Sequence, residues 1–226
     1  LALAFLRNNH MDVNMDVTPW LQIYHAPKIG PVLFQKILEH YGSPEAFLDN
    51  RGWHSEHVNI PEPAKYYFDD QQFDVVTEDL RWQEQPNNHI LTLADKRYPA
   101  LLREIHDPPA ILYLKGQPSV LQQVQLAVVG SRNPTPAGQD TTRALTYELA
   151  RQGMVITSGL ALGVDGIAHQ ATLDAGGTTI AVMGTGLNRV YPAKHHALAH
   201  AIEDTGGRYA VGVSAQYPTK TEPIPP

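Results

Sequence analysis

Apolar residues in the first third of the chain recur at the three- and four-residue spacing of a helix face. Leu33, Ile37, Leu38 and Tyr41 follow this pattern. Residues that interrupt helices divide the region into short pieces, at Pro27, Gly30, 42–44 and Pro61. The pattern predicts a small all-helical domain that ends near residues 85–88.

Beyond this break the chain changes to short apolar runs bounded by turn residues, which are typical of strands. Residues 90–93, 110–114 and 125–129 form such runs. From residue 125 onward the runs alternate with helical stretches. The predicted elements of this part are strands at 125–129, 154–157, 178–183 and near 209–214, and helices at 137–152, 164–175 and 193–204.

Strands joined by helices need crossover connections, and these connections produce a parallel sheet covered by helices. The sequence therefore predicts an α/β fold with a doubly wound, mostly parallel sheet. We expect a disordered or frayed N-terminus over 1–16, the small helical domain over 17–86 and the α/β domain over 87–226.

Glycine or a hydrogen-bonding side chain follows each of the first three predicted parallel strands. The turns are 130–132 (Gly-Ser-Arg), 158–163 and 184–188. Ligands of such sheets bind outside the carboxyl ends of the strands. Glycine lets a ligand approach the backbone, and free N–H groups of the following helices attract anions. The three turns together predict an anion-binding rim, although each glycine taken singly is also explained by the needs of a tight turn.

Arg132 is the residue best suited to hold an anion at this rim. It follows a strand and a glycine, where a permanently charged guanidinium group can grip a phosphate with two hydrogen bonds. Taken alone, Arg132 fits a surface salt bridge equally well.

The overall charge limits how the chain can bind a polyanion. Its 17 Lys and Arg residues and 23 acids give a formal net charge of −6, which excludes coating of nucleic acid through bulk positive charge. The acidity belongs to residues 1–114, with nine basic and sixteen acidic side chains, whereas residues 115–226 carry eight and seven. A polyanion site must therefore be local, and we expect it in the second half.

The residue inventory also excludes several classes of chemistry. The chain has no cysteine, which rules out disulfide scaffolds, iron–sulfur clusters and thiol nucleophiles and is compatible with a reducing cytosol. No apolar run approaches the roughly 20 residues of a membrane helix. We expect no metal, no cofactor and no membrane partner.

Linked motifs in the second half resemble the DNA-processing protein A family (DprA, also called Smf). They lie at 127–132, at 157–161 with Gly163, Asp165, Ala168 and His169, at 176–182, at 184–187 and at Tyr191-Pro192. Upstream, residues 95–116 resemble the segment that leads into that family's extended Rossmann domain. The resemblance is strong over about residues 90 to 207 and weak in the helical part around 27–31.

The resemblance implies an extended Rossmann-like domain preceded by a domain similar to SAM or helix-hairpin-helix domains. It implies a cytoplasmic, non-catalytic protein of natural transformation that protects single-stranded DNA and loads the RecA recombinase onto it. A homodimer through the Rossmann domain is a further implied option. The expected DNA-binding residues are Gly130, Ser131, Arg132, Ser158, Gly159, Leu160, Gly163, Gly184, Gly186 and Lys194.

Two features depart from the family pattern near the end of the chain. Residues 214–218 (Ser-Ala-Gln-Tyr-Pro) lack the acid of the family's Ser-Glu-(Phe or Tyr)-Pro motif. The arginine-rich segment and the winged-helix-like domain that commonly follow are absent from this sequence. We expect a C-terminally truncated member, in which the strand near Val211 leaves an open sheet edge and DNA binding is weakened.

Two side-chain constellations suggest other chemistry. Ser158, Asp165 and His169 contain the residue types of a hydrolase triad, but Ser158 is not in a Gly-x-Ser-x-Gly elbow and the acid and base share one helix face. We interpret Asp165 as bracing a loop and His169 as packed. His196 and His200 have the spacing of a metal pair, but a solvated helix face explains them more simply.

The alternative function is a Rossmann-type nucleotide-binding enzyme similar to the phosphoribohydrolases. Those enzymes carry a Pro-Gly-Gly-x-Gly-Thr turn followed by a catalytic acid, which this sequence lacks. Residues 184–186 (Gly-Thr-Gly) match only part of a dinucleotide fingerprint. A purely structural interaction module is a third option. We expect no catalytic residues.

Overall fold

The computed structural model describes residues 16–184, 187, 190–204 and 212–214. The predicted frayed segment 1–16 falls almost entirely outside these residues. Contacts divide the chain into two compact units, one formed by residues up to Pro86 with Ile90–Leu112 and the other by Asn87–His89 with residues from Tyr113 onward. The division into domains at 17–86 and 87–226 stays a prediction.

Short helices make up most of the first unit, as the spacing of apolar residues predicts. They are α1 Thr18–Tyr24, α2 Pro31–Tyr41, α3 Pro44–Asp49, α4 Glu62–Asp69, α5 Asp74–Gln83 and α6 Ala100–Arg103. Proline occupies the first turn of α1 to α4, where its missing N–H costs no helical hydrogen bond. The Ser43 hydroxyl caps α3 by accepting from the Ala46 N–H at 3.1 Å.

Aromatic packing forms part of the core of this unit. Phe68 stacks on Trp53 with ring centroids 5.0 Å apart and meets Phe47 edge-on at 5.6 Å. Gly52 lies against the Phe47 ring so closely that a Cβ would come within 2.7 Å of its Cε2. A side chain at Gly52 would therefore displace the aromatic cluster.

Two carboxylates, those of Asp79 and Asp69, link segments of the same unit. The Asp79 carboxylate, which is fully buried on α5, lies 2.6 Å from His25 Nε2, just after α1. Asp69 accepts hydrogen bonds from Trp53 Nε1 at 2.9 Å and from Arg51 at 3.2 Å, and lies 2.9 Å from His54 Nε2. The Trp53 and His54 hydrogen bonds lower the pKa of Asp69.

A six-stranded sheet runs through the described residues. Its strands are β1 Asn88–Thr92, β2 Ile111–Lys115, β3 Gln125–Ala127, β4 Val155–Ser158, β5 Thr179–Val182 and β6 Gly212–Ser214, in the spatial order β1-β2-β6-β5-β4-β3. Strands β3 to β6 pair in parallel, and β2 pairs antiparallel with β6. The α/β prediction of a mostly parallel sheet preceded by helices is confirmed.

Helices connect the parallel strands in the predicted alternation. They are α7 Pro136–Arg151, α8 Val164–Asp174 and α9 His196–Asp204, the last preceded by a 3-10 turn at Ala193–His195. Helices α7 and α8 pack on each other and both contact β4. Ala150, Ile156 and Ala168 form the buried centre of this layer, with Val128 packed against it.

The prediction of an open edge at the strand near Val211 is wrong. β6 is an interior strand, because β2 from upstream in the chain pairs with its far side at Tyr113 and Leu114. β3 occupies the end of the described strand order, and the flanking Val129 is 76% exposed. Long-range antiparallel pairing of this kind leaves no local signal in the sequence.

Candidate functional site

Hydrogen bonds join the two turns that follow β3 and β4. The Val128 N–H donates to the Thr157 carbonyl at 2.9 Å, and the Ser158 hydroxyl donates back to the Val128 carbonyl at 2.6 Å. The Val164 N–H, at the start of α8, donates to the Ser131 carbonyl at 3.1 Å. These bonds hold the Gly-Ser-Arg turn in register with the beginning of α8.

Glycine is required where these turns touch. Gly163 has φ +81°, and a Cβ there would lie 2.6 Å from the Arg132 carbonyl oxygen. At Gly130, a Cβ would lie 2.8 Å from Val164 Cγ2. Both glycines therefore permit the close approach of two backbone segments, and their direct effect is on the shape of the site.

The turn between β4 and α8 is braced from two sides. Asp165 accepts a hydrogen bond from the Gly159 N–H at 3.1 Å, as the loop-bracing interpretation predicts. Leu160 is buried with φ +59°. Its carbonyl oxygen lies 2.8 Å from His195 Nδ1. Since a carbonyl can only accept, His195 Nδ1 is the donor of this hydrogen bond. His195 thus ties the segment that carries Lys194 to this turn.

An open cleft of about 440 Å³ lies between α7 and α8, beside the joined turns. None of its described lining residues is acidic. Its polar lining consists of two arginines, three carboxamides and one imidazole, which are Arg132, Arg143, Asn133, Gln139, Gln170 and His195. Its apolar lining comes from Pro134, Ile167 and Ala171, with Gly163 and Gly166 at the backbone. The cleft is therefore locally cationic in an acidic protein.

The two arginines differ in their surroundings. Arg132 is exposed and makes no ion pair with any acid in the described part of the chain. Arg143 lies one helical turn from Asp140, whose Oδ1 accepts from its Nη1 at 3.2 Å. Both side chains of this pair are more than half exposed, so the interaction is weak and leaves Arg143 able to take another anion.

The hydrolase triad is not assembled. His169 is fully buried, and its Nδ1 donates to Thr179 Oγ1 at 2.6 Å, since that hydroxyl itself donates to the Ile156 carbonyl. Burial, followed by the charge of His195, lowers the pKa of His169 to about 4. The Ser158 hydroxyl and the Asp165 carboxylate are committed to Val128 and Gly159. His169 therefore packs as interpreted from the sequence.

The predicted site residues divide into three groups. Arg132 and Gly163 line the cleft, with Gly130 and Ser131 in the adjoining turn. Ser158 and Leu160 have buried side chains and build the neighbouring turn with Gly159. Gly184 and Lys194 are exposed but do not line the cleft, and Gly186 lies outside the described residues.

Five polar residues of the cleft lining were not predicted: Asn133, Gln139, Arg143, Gln170 and His195. Gln139 and Arg143 are four residues apart on α7 and therefore share a helix face. Helix α7 begins after an N-cap at Thr135, whose hydroxyl accepts a hydrogen bond from the Gly138 N–H at 3.2 Å. This spacing was the available signal, but only the packing of α7 on α8 adds Gln170 to the same cleft.

Among the described residues, no group of three or more potential metal-ligating side chains converges. None of the helices in the described ranges combines the length and apolarity needed to cross a bilayer. His196 and His200 are in edge contact at 4.5 Å and exposed on α9.

Comparison with protein families supplies an independent finding. Residues 89–224 match the family model of DNA recombination-mediator protein A. Protein Smf of Escherichia coli is 39% identical over 145 residues, which are 64% of this chain and 38% of that protein. Protein Smf of Synechocystis is 31% identical over 222 residues, or 93% of this chain and 53% of that protein. The chain thus spans about half or less of the length of these relatives.

Two solved structures are also similar. The X-ray structure of DNA processing protein A from Streptococcus pneumoniae matches with a TM-score of 0.73 and 28% identity, covering 95% of this chain and 71% of that one. DNA processing protein A from Helicobacter pylori, whose structure is described as revealing a unique single-stranded DNA binding mode, matches with a TM-score of 0.51 and 32% identity. That match covers 61% of this chain and 59% of the Helicobacter chain.

Proposed function

Because the chain belongs to the DNA recombination-mediator protein A family, we propose that it binds single-stranded DNA in the cleft between α7 and α8. The observation that carries the proposal is that Arg132 and Arg143 line the same cleft, whose described lining holds no acid. The single-stranded DNA binding named for the Helicobacter pylori relative supports the same ligand.

The binding mechanism follows from the chemistry of the phosphate backbone. Guanidinium groups form charge-assisted, bidentate hydrogen bonds to phosphate oxygens and release the counterions condensed on the strand. Arg132 and Arg143 would hold successive phosphates, and Lys194, one residue before the cleft-lining His195, would add a third cation at the rim. The contact is with the backbone, which every sequence shares.

The proposal assigns no catalytic role to the cleft. Ser158, Asp165 and His169 are each committed to a partner within the fold, so these three residues do not present a nucleophile and a base to the cleft. The protein then acts by sequestering DNA rather than by turning over a nucleotide. Incubation with nucleoside monophosphates should release no base or phosphate. If base or phosphate is released, and the Asp165→Asn variant no longer releases it, the enzyme alternative is restored.

Further parts of the proposal rest on family membership alone. They are transfer of the bound strand to the RecA recombinase during natural transformation, a homodimer formed through the Rossmann-like domain and a cytoplasmic location. Strand exchange by RecA on oligonucleotides coated with a single-strand-binding protein measures the first part. Addition of this chain should shorten the lag before exchange, and an unchanged lag would remove RecA from the proposal.

The central test is fluorescence anisotropy of a labelled oligothymidylate at several salt concentrations. Arg132→Ala should weaken binding by about 1–3 kcal/mol, the range for a lost charge-assisted contact. It should also reduce the slope of log affinity against log salt by about 0.7, the value for one phosphate of a single strand. Arg151→Ala is the matched control, because Arg151 is exposed at the far end of α7 and does not line the cleft. Equal effects of the two substitutions would move the site elsewhere.

A further inference from the structure

Carboxamide side chains line the cleft beside its arginines, although their oxygen atoms cannot bind a phosphate. Gln139 on α7 and Gln170 on α8 both line the cleft. A phosphate group accepts hydrogen bonds at neutral pH, so it can contact the amide nitrogens but not the amide oxygens. A bound phosphate therefore leaves the amide oxygens of both residues without a donor from the ligand.

The hydrogen bonds of the two amides determine which atoms remain available. Gln139 Nε2 donates to the Pro134 carbonyl at 3.2 Å, and Gln170 Nε2 donates to Asp174 Oδ1 at 2.8 Å. A carbonyl and a carboxylate only accept, which fixes the nitrogen and oxygen positions of both amides. Within the described residues neither Oε1 accepts a hydrogen bond from the protein, so both amide oxygens of these cleft residues are left to accept from solvent or from a ligand.

A nucleobase is the part of a nucleic acid that supplies matching donors. Guanine presents two adjacent donor groups on one edge, the ring N1–H and the 2-amino group, whereas the corresponding edges of the other DNA bases present one. The apolar walls from Pro134, Ile167 and Ala171 suit a flat ring, and the volume of about 440 Å³ lies in the range of small-ligand sites.

We infer that Gln139 and Gln170 accept hydrogen bonds from a base seated in the cleft, and that this contact gives single-stranded DNA binding a preference for guanine. The inference rests on the proposed function, because the arginines must hold the flanking phosphates. It differs from that function in predicting a dependence on base identity, which backbone contacts alone do not produce.

The experiment compares three labelled oligonucleotides of one length: oligothymidylate, the same strand with one central guanine, and the same strand with inosine in place of that guanine. The guanine strand should bind about fivefold or more tightly than oligothymidylate, the lower range for a paired base contact. Inosine lacks the 2-amino group and should lose most of that gain. Equal affinity for all three strands would overturn the inference.

Substitution of both glutamines assigns the preference to the cleft. The double variant Gln139→Leu and Gln170→Leu should bind the guanine strand and oligothymidylate equally, with the salt slope unchanged. Gln152→Leu is the matched control, since Gln152 is exposed beyond the end of α7, and it should retain the preference. A guanine preference that survives in the folded double variant would also overturn the inference.

The Arg132→Ala variant separates failure of the inference from failure of the proposed function. If Arg132→Ala weakens all three strands while wild type binds them equally, the phosphate contacts stand and the base contact is wrong. If wild type binds none of the strands, or Arg132→Ala binds them as wild type does, the proposed function fails and the inference fails with it. Far-ultraviolet circular dichroism and a thermal melt verify that every variant is folded.

Discussion

Gly163 lies directly against the backbone of Arg132, so that a Cβ on the glycine would stand 2.6 Å from the arginine's carbonyl oxygen. The same glycine precedes the first turn of α8, whose Val164 N–H donates to the Ser131 carbonyl. The position of Arg132 at the cleft therefore depends on a residue in the turn after the neighbouring strand.

Gly163→Ala should destabilise the protein and weaken DNA binding. Alanine at φ +81° is strained and also collides with the backbone of 131–132, so we expect a loss of about 1–3 kcal/mol in the free energy of unfolding. Gly153→Ala is the control, because Gly153 has φ +86° but open space around its Cβ position. Urea denaturation measures the free energy of unfolding of the two variants. An equal loss of that free energy in both would show that the contact with Arg132 is unimportant.

Asp140→Asn should strengthen binding of single-stranded DNA. The aspartate holds Arg143 at 3.2 Å on an exposed helix face, and its charge repels phosphates entering the cleft. An exposed pair of this kind is worth about 0.2–1 kcal/mol, so the affinity should rise up to about fivefold at low salt. Glu148→Gln removes the same charge from the far part of α7, outside the cleft. A gain of the same size in both variants would indicate general charge repulsion rather than release of Arg143.

Lowering the pH from 6.5 toward 4 should destabilise the protein through His169. Its pKa is about 4 in the folded state against about 6.5 in an unfolded chain, so the unfolded state binds more protons in this interval. The stabilising contribution is present above pH 6.5, decreases as pH falls and is lost near pH 4, for a total of about 3 kcal/mol.

The pH effect is measured as the difference between wild type and His169→Asn, which keeps a donor for Thr179 without a titrating ring. Urea unfolding at pH 7 and pH 5 should give the variant a smaller pH dependence than wild type. The remaining histidines are present in both proteins and cancel in the comparison. Identical pH dependence in the two proteins would contradict the buried, neutral state of His169.

His195→Leu should lower both stability and DNA affinity. The Leu160 carbonyl loses the 2.8 Å hydrogen bond from His195 Nδ1, which should lower the free energy of unfolding by about 0.5–1.5 kcal/mol. The segment that carries Lys194 is then no longer held at this turn. His195→Asn places an amide donor near the Nδ1 position and should recover most of both losses. If asparagine restores stability but not affinity, the imidazole itself contacts DNA and the positioning role is incomplete.

Local patterns in the sequence determined most of the elements around the site. Strands β3 to β5 and helices α7 and α8 lie within about two residues of their predicted bounds, because apolar periodicity and breaking residues act over short stretches of chain. The glycines at 130 and 163 and the cation at 132 were also predicted, since turns after parallel strands are recognisable from their residue types.

Only the tertiary structure decided which side chains share the cleft. Gln139 and Arg143 line one cleft with Gln170 because α7 packs on α8, and the Ser158 hydroxyl is committed to the Val128 carbonyl. β6 is an interior strand because β2, about a hundred residues earlier in the chain, pairs with it. These arrangements join residues distant in sequence, and their energies depend on packing and pairing that no local pattern records.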